Sequence, residues 1–303
     1  MMFTLAHISD VHLGPLPDLS FLELLSKRIT GYVNWHRNRG KNLFGNTLEL
    51  LLLEIVKAKP NHLAITGDLV NLAADIEFDA AATWLRAFPR ATEVSVVPGN
   101  HDAYVPGALD DAARLWKPWM SGDTPRDDGH IFPYLRLRDK VALIGVSTAT
   151  ATPPFMASGF FGPNQARRFE RILKETGDAG YFRVVMIHHP PIRGATPNYK
   201  RMIGIRRFAA AVHMDGAELV LHGHTHLNTT YWLDGRTGRI PVVGIASGSQ
   251  MFGGRKPPSA YNLFHIDGEQ GNWSLRKERF SLTEDKTSFV RDDDVMLINP
   301  ASV

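Results

Sequence analysis

The chain has 303 residues, of which 44% are hydrophobic and 21% are charged, and its formal net charge is +3. This length and composition are typical of a soluble globular protein with ample apolar material for a core. The chain contains no cysteine, which excludes disulfide bonds and thiolate metal sites, so any metal site must use nitrogen and oxygen ligands. The small positive charge favours an anionic substrate or surface.

The first ten residues carry neither the basic nor the apolar region of a signal peptide. No apolar run approaches the length needed to span a membrane. We therefore expect a cytoplasmic protein.

Short apolar runs alternate with helical stretches over most of the chain. The predicted buried strands are residues 3–8, 62–66, 94–97, 141–146, 184–187 and 218–221. The predicted helices are residues 46–57, 73–88, 106–119, 163–175 and 205–212. Such alternation predicts a sheet with helices outside it.

The later part of the chain, residues 228–280, predicts several strands joined by turns that contain glycine and proline. We therefore expect an α/β fold of two sheets packed face to face, with helices on both outer faces. Residues 1–280 are predicted to form a single catalytic domain. The tail 281–303 has little pattern and a run of three aspartates at 292–294, so we expect it to wrap the surface or to be disordered.

Five short polar segments, most of them directly after a predicted strand, carry the chemistry. They are Asp10-Val11-His12, Gly67-Asp68, Gly99-Asn100-His101-Asp102, His188-His189-Pro190-Pro191 and Gly223-His224-Thr225-His226. In an extended segment, side chains two residues apart point the same way, so Asp10 with His12, and His224 with His226, are each expected to reach one site. Loops at the ends of adjacent strands converge on one crevice in open α/β sheets.

The mixture of carboxylate and imidazole suits a pair of divalent cations such as Zn, Fe, Mn or Co, without choosing among them. Two cations close together require a shared anionic bridge, and Asp68 is the candidate for it. A hydroxide held between two cations is a nucleophile near neutral pH, and the same cations neutralise phosphoryl charge. The pattern therefore predicts a metal-assisted hydrolase of phosphate esters.

The order of the five segments resembles the calcineurin-like metallophosphoesterase superfamily, over roughly residues 4–243. The resemblance implies a four-layer αββα sandwich of two mixed sheets around two divalent metal ions, Mn, Fe or Zn. It implies that Asp10, His12, Asp68 and His226 hold one ion, and that Asp68, Asn100, His188 and His224 hold the other.

The resemblance also implies catalytic roles for two residues that follow Asn100. His101 would stabilise developing charge and protonate the leaving oxygen, and Asp102 would orient the loop or His101. Residues 67–71, 99–102 and 188–191 most resemble bacterial cyclic-nucleotide and glycerophosphodiester phosphodiesterases, which places Asn71 and His189 near the substrate. Residues 13–61 depart from that subgroup, because this segment is longer and more basic than expected.

The segment 19–41 combines an apolar helical stripe with basic residues at its C-terminal end. One interpretation is a helix packed on the sandwich with a solvated basic end. The other is a cap that binds an anionic group or contacts an acidic membrane surface.

The sequence thus predicts a binuclear phosphodiesterase that acts on an anionic phosphoester, with no obligatory nucleic-acid partner and with peripheral membrane contact as an open alternative. One rival function is a membrane-surface pyrophosphohydrolase of a lipid-linked nucleotide diphosphate, which the segment 19–41 motivates. A rival from another class is a non-catalytic metal-binding scaffold on the same fold.

Overall fold

Two six-stranded sheets form the centre of the fold in the computed structural model, which describes residues 2–16, 26–29, 32, 46–124 and 129–300. The strands are β1 (Phe3–Ile8), β2 (His62–Ile65), β3 (Val94–Val96), β4 (Tyr134–Arg138), β5 (Val141–Gly145), β6 (Gly159–Phe160), β7 (Phe182–Met186), β8 (Met202–Ile203), β9 (Leu219–His222), β10 (Thr229–Asp234), β11 (Arg239–Gly244), β12 (Ala260–Asp267), β13 (Ser274–Leu282) and β14 (Phe289–Ile298). The α-helices of this part are α1 (Thr47–Ala58), α2 (Asp75–Arg86), α3 (Ala108–Leu115), α4 (Pro163–Asp178) and α5 (Ile205–Asp215).

The strand order is β14-β13-β12-β1-β2-β3 in the first sheet and β10-β11-β9-β7-β5-β4 in the second. Strands β1, β2 and β3 run parallel to one another, and so do β5, β7, β9 and β11. The other pairings within the two sheets are antiparallel. The parallel strands of each sheet therefore end at a common edge, which is where the polar segments leave the strands.

Successive side chains of a strand point to opposite faces of its sheet, so they enter two different cores: one between the sheets and one under the helices. In β1, Phe3 and Leu5 point into the core between the sheets, whereas Ala6 and Ile8 pack under helices. Helices α1, α2 and α3 share the core of the first sheet, and α4 and α5 share that of the second. The predicted αββα sandwich is confirmed, and the five helices and six strands predicted by range are present with ends shifted by four residues or fewer.

The segment after Ser281 differs from the prediction, because it continues β13 and then forms the ten-residue strand β14. The three aspartates are not a solvated charge run: they pair with basic side chains of β13, at 2.7 Å for Arg276–Asp294, 2.7 Å for Lys277–Asp293 and 2.9 Å for Arg279–Asp292. Phe289 and Leu297 are buried near the two ends of β14. Complementary charge across the strand pair and these apolar anchors order the segment.

Strand β4 and the short strands β6 and β8 were not predicted from the sequence. Strand β4 is the edge strand of the second sheet, and β6 and β8 form a separate two-stranded sheet. The helix expected within 19–41 lies mostly outside the described residues, which include only 26–29 and 32 of that segment. Among the described residues, no helix combines the length and the apolar character needed to cross a membrane. That residues 1–280 form one domain stays a prediction.

Candidate metal centre

The five polar segments meet at the edge where the parallel strands end. Backbone hydrogen bonds tie them together: Asp10 N donates to Gly67 O at 2.9 Å, and Gly223 N donates to His188 O at 3.0 Å. The backbone N–H of His224 donates to the Asp10 carboxylate at 3.1 Å, which joins the end of β9 in one sheet to the end of β1 in the other. The site is thus built across the two sheets.

The first predicted group of ligands is brought together. One ligand atom from each of Asp10, His12, Asp68 and His226 lies within 4.8 Å of the other three. The Nε2 atoms of His12 and His226 are 3.4 Å apart, and His226 Nε2 is 3.1 Å from Asp10 Oδ1. Three of these residues are buried and His226 is half-buried. Two imidazoles and two carboxylates that face one another at this range form a donor set suited to a divalent cation.

The second predicted group adjoins the first. His188 Nε2 lies 3.4 Å from Asp68 Oδ2 and 3.3 Å from Asn100 Oδ1. The rings of His188 and His224 have centroids 5.2 Å apart. Asp68 Oδ2 is also 3.8 Å from His12 Nε2. Asp68 therefore contacts both groups, as a bridging carboxylate must.

Carbonyl groups orient three of the imidazoles in the way that metal-binding histidines require. His12 Nδ1 donates to Val70 O at 3.1 Å, and His188 Nδ1 donates to Thr66 O at 2.6 Å. Both rings therefore present Nε2 to the centre, where Nε2 lies close to Asp68. His224 is reversed, since its Nε2 donates to the Lys200 carbonyl oxygen at 2.9 Å. Such hydrogen bonds fix the tautomer and raise the basicity of a ligating nitrogen, so this donor set fits the metal pair.

The ligand pairs do not converge in the predicted way. Asp10, His12, His224 and His226 have φ values of +52°, +39°, +66° and +52°, which are left-handed and not extended. Asp68 shares this conformation, with φ of +55°. The side chains converge because the backbone curls at the strand ends. Five of the ten positive-φ non-glycine residues in the described part are ligand candidates, and such backbone is costly for residues with a Cβ and clusters at functional sites.

Glycine allows the loops to approach one another. A Cβ at Gly99 would collide with Asp68 Oδ1, and a Cβ at Gly223 would collide with Ser9 Oγ and lie 2.5 Å from Asp10 Oδ2. Both glycines therefore permit a contact against a ligand carboxylate that no other residue type would allow.

The electrostatics of the centre favour bound cations. Burial opposes ionisation of Asp10, but His226 lowers its pKa to about 2. Burial likewise opposes ionisation of Asp68, yet His188, His101 and His12 hold its pKa well below the ordinary value. For His188, burial is outweighed by Asp68, which raises the pKa to about 9. A cation that binds His188 must therefore displace a proton, and it then replaces that positive charge beside the carboxylates.

His101 lies beside the two ligand groups and belongs to neither. Its ring meets the His12 ring edge to face at 4.9 Å and stacks on Tyr104 at 5.3 Å. Its Nδ1 donates to Asn71 O at 2.5 Å, and its backbone N–H donates to Asp68 Oδ1 at 2.7 Å. The ring is thus held in one orientation at the margin of the centre.

Asp102 is buried and its carboxylate accepts four backbone N–H groups. The donors are Asp68, Gly99, Leu69 and Val70, at 2.8 to 3.1 Å. Burial and the neighbouring Asp68 raise the pKa of Asp102 to about 7, although the hydrogen bonds from Gly99 and Val70 oppose this shift. These contacts clamp the loop after β2 to the loop after β3, so Asp102 holds the loops that carry the ligands.

The two predicted substrate residues have buried side chains. The Asn71 amide donates to Leu13 O at 2.8 Å. His189 Nδ1 lies 2.8 Å from Thr148 Oγ1, and its Nε2 donates to Ala157 O at 3.2 Å. Both ring nitrogens of His189 therefore contact the protein, and its ring packs 4.3 Å from that of His224. These contacts position other site residues, while contact with substrate stays a prediction for both.

Three residues that sequence reasoning did not single out support the site. Glu77 is buried and accepts the backbone N–H groups of Asn71, Leu72 and Ala74 at 2.8 to 3.0 Å. Tyr104 stacks on His101, and Lys27 Nζ lies 4.5 Å from the Tyr104 ring centroid. Burial lowers the pKa of Lys27 to about 8. Glu77 was detectable as an acidic residue near the start of the predicted helix 73–88, and Lys27 as a member of the basic segment 19–41, whereas only the fold reveals Tyr104.

Comparison with known proteins identifies the family. The sequence profile described as calcineurin-like phosphoesterase matches residues 3–228, and the chain belongs to this family. No curated protein sequence matches the chain. A solved dimetal phosphatase from Danio rerio is 13% identical, with a TM-score of 0.62, and the match covers 97% of this chain and 98% of that one.

Two further solved structures match the chain at lower similarity. A 5'-nucleotidase precursor from Thermus thermophilus is 14% identical, with a TM-score of 0.49; the match covers 99% of this chain but 55% of that one. The phosphoesterase YfcE from E. coli is 15% identical, with a TM-score of 0.36, and the match covers 98% of this chain and 100% of that one. Family and site together define a metal-dependent phosphoric ester hydrolase with a cluster of Asp and His residues that can hold a metal ion.

Proposed function

We propose that this hydrolase is a phosphodiesterase and that its cations are drawn from Mn, Fe and Zn. One cation would be held by Asp10, His12, Asp68 and His226, and the other by Asp68, Asn100, His188 and His224. When bound, the two cations supply the activation of water and the neutralisation of phosphoryl charge that ester hydrolysis requires. The residues of the chain must then orient the ester and provide the leaving group with a proton.

The placement of His101 carries the proposal. A phosphodiester has one negative charge, which two cations offset, so the remaining demand is a proton for the leaving alkoxide. His101 is an imidazole beside the ligand groups that takes part in neither of them, 4.9 Å from the His12 ring.

The hydrogen bond from His101 Nδ1 to the Asn71 carbonyl oxygen prepares the ring for proton transfer at its other nitrogen. The Asn71 carbonyl oxygen accepts from Nδ1–H at 2.5 Å, and Nδ1 keeps this proton in both the neutral and the cationic ring. The ring therefore gains and loses its second proton at Nε2 without turning. Stacking on Tyr104 further limits rotation of the ring, so Nε2 keeps a fixed position relative to the phosphoryl group.

The test compares bis-p-nitrophenyl phosphate with p-nitrophenyl phosphate, using protein reconstituted separately with Mn²⁺, Zn²⁺ and Fe²⁺. Metal-dependent turnover that favours the diester would support the proposal and lead to cyclic nucleotides and glycerophosphodiesters as substrates. Preference for the monoester would overturn it. Absence of hydrolysis with two metals bound per chain would instead favour a non-catalytic metal-binding scaffold.

A second candidate is hydrolysis of a lipid-linked nucleotide diphosphate at a membrane surface. One observation favours it: the loop 153–157 and strands β6 and β8 carry exposed apolar residues, and Ile203 of β8 lines a depression together with four arginines. Cleavage of an amphiphilic diphosphate with no turnover of small diesters would favour this candidate over the first.

A further inference from the structure

An exposed apolar surface lies next to the metal centre. It consists of Phe155 at 83% exposure, Tyr199 at 50%, Phe160 at 48%, Ile203 at 47% and Met156 at 37%. We call these five residues the apolar patch. Phe155 lies in the turn that closes when Met156 N donates to Pro153 O at 3.2 Å, and its φ is +64°. A bulky apolar side chain that is exposed on left-handed backbone is unfavourable in water, both for the backbone and for the side chain.

The residues of the apolar patch are neighbours in the fold. Strands β6 and β8 pair in parallel, with Phe160 opposite Ile203, so these two side chains share one face of the small sheet. Their chain neighbours Gly159 and Met202 are buried on the other face. Ala157 N donates to Tyr199 O at 2.8 Å, which brings the turn that carries Phe155 and Met156 against Tyr199. The apolar patch is therefore one surface and not five scattered residues.

Basic residues adjoin the apolar patch. Arg193, Arg201, Arg206 and Arg207 line a depression of about 620 Å³ whose wall includes Ile203 of the apolar patch. No carboxylate pairs with any of these four arginines within the described ranges of the chain. The sequence from Ile187 to Met214 has five lysines and arginines and neither aspartate nor glutamate. The four arginines, which we call the arginine cluster, thus form an uncompensated positive rim.

This surface lies over the metal centre. The buried face of the small sheet lies against the site, because a Cβ at Gly159 would collide with His189. His189 in turn packs against His224, whose Nε2 contacts Lys200 O in the chain directly between Tyr199 and Arg201. The apolar patch therefore includes the outer face of the small sheet, whose inner face contacts His189 beside the candidate metal centre.

We infer that the apolar patch and the arginine cluster bind the surface of a membrane rich in anionic lipid. Peripheral membrane binding has two components: aromatic and aliphatic side chains that enter the headgroup boundary, and adjacent basic side chains that meet lipid phosphates. A nucleic acid would satisfy the arginines but would leave Ile203 and Met156 without apolar partners. The membrane then presents an amphiphilic phosphoester to the metal centre, and this last step alone rests on the proposed function.

Vesicle flotation tests the inference, with phosphatidylcholine vesicles compared with vesicles that also contain phosphatidylglycerol. The metal-loaded protein should float with the anionic vesicles and lose binding as salt rises. Arg193→Gln with Arg206→Gln should weaken binding about 25-fold, since each arginine near the surface contributes about fivefold. Phe155→Ser with Phe160→Ser should weaken it by about tenfold or more.

Matched substitutions elsewhere provide the controls. Val56→Ser with Val290→Ser removes apolar side chains of 65% and 51% exposure, and Arg86→Gln with Arg171→Gln removes two exposed cations. Both control pairs should bind vesicles like the parent chain. Loss of binding in the controls alone, equal binding by all variants, or no binding by the parent would overturn the inference. Tighter binding to a single-stranded oligonucleotide than to anionic vesicles would overturn it as well.

Hydrolysis of a soluble diester without vesicles separates this inference from the proposed function. The variants of the apolar patch and arginine cluster should keep the parent rate, because none of the four substituted side chains belongs to the ligand groups or to His101. If the parent protein hydrolyses the diester but does not bind vesicles, only the membrane inference is wrong. If the parent protein binds vesicles but does not hydrolyse the diester, only the phosphodiesterase proposal is wrong.

Discussion

Two regions of the molecule concentrate charged side chains, and they do so in opposite ways. At the metal centre, carboxylates and imidazoles crowd together in a buried cleft, with His12 Nε2 and His226 Nε2 only 3.4 Å apart. At the β13–β14 edge, acidic and basic side chains alternate across the strands, as in the pair Arg276–Asp294 at 2.7 Å. The side chains of Arg276 and Asp294 are 42% and 37% exposed.

The difference lies in what completes each region. The β13–β14 edge neutralises its own charges, and it costs no backbone strain at the paired residues. The metal centre holds Asp10, His12, Asp68, His224 and His226 on left-handed backbone. It gathers carboxylate oxygens and imidazole nitrogens of Asp10, His12, Asp68 and His226 within 4.8 Å of one another, a donor set that a divalent cation would complete. Buried ionisable groups on strained backbone cost more free energy than exposed ion pairs. Such an arrangement is therefore expected where the groups bind a ligand or a metal ion.

The largest effect is expected from Asp68→Asn. The amide keeps the shape and can still accept from the His101 backbone N–H, which Asp68 Oδ1 does at 2.7 Å, but it loses the anionic charge shared by both ligand groups. We expect metal-dependent turnover to fall by about 10³-fold or more, with loss of metal from both sites. Metal content by mass spectrometry and the shift in melting temperature on adding Mn²⁺ measure this. Two retained metals would contradict the bridging role.

A somewhat smaller effect is expected from His101→Asn. The side chain lies outside both ligand groups, so metal content should remain that of the parent chain. We expect kcat for a diester with a poor leaving group to fall by about 10²- to 10³-fold, as for removal of a general acid. A p-nitrophenyl diester needs less protonation and should lose less. Full turnover of the poor leaving group would exclude the acid role.

Asp102→Asn compares the two regions by the loss of free energy of unfolding that one carboxylate-to-amide substitution causes in each. The carboxylate accepts four backbone N–H groups, and an amide can satisfy only those that face its oxygen. We expect the free energy of unfolding of the metal-free protein to fall by about 2–4 kcal/mol, measured by urea denaturation. Asp294→Asn at the β13–β14 edge is the matched control, and it should change the free energy of unfolding far less, since exposed ion pairs contribute little. Equal costs would break the comparison.

The smallest effect is expected at His62, which lies outside both regions and affects how the free energy of unfolding depends on pH. Burial, with Arg136 and Arg138, holds the pKa of His62 well below 6.5, so the folded protein keeps this ring neutral. Below pH 6.5 the unfolded chain takes up the proton first, so the free energy of unfolding falls as the pH falls. His62→Gln can keep a bond to Ser95, which His62 Nε2 makes at 2.8 Å.

Relative to the parent chain, His62→Gln should reduce the slope of that decline by up to about 1.4 kcal/mol per pH unit between about pH 6.5 and 5. Urea unfolding at several pH values checks this, and near about pH 8 the slopes of the two proteins should agree. An unchanged slope over the acidic range would show that His62 does not titrate between the two states. The other buried histidines are present in both proteins, so their contributions to the pH dependence cancel in the difference between the two slopes.

The fold was largely readable from the sequence because apolar periodicity is local. The run 3–8 and the helix that begins at Pro163 follow directly from the order of their side chains. Strand β14 was missed for a physical reason: its aspartates are ordinary strand residues only when Arg276, Lys277 and Arg279 lie opposite them. That pairing exists only after β13 and β14 are aligned.

The sequence by itself determined the αββα architecture, the family and the set of side chains that surround the metal centre, since each of these depends on residue type and spacing. The tertiary structure alone decided how the set is arranged. It curls Asp10 and His12 together on left-handed backbone, turns the His101 ring onto Tyr104, and buries both nitrogens of His189 against the protein. It also joined Phe160 to Ile203 in one exposed surface. These are contacts between distant segments, and their geometry follows from packing of the whole chain.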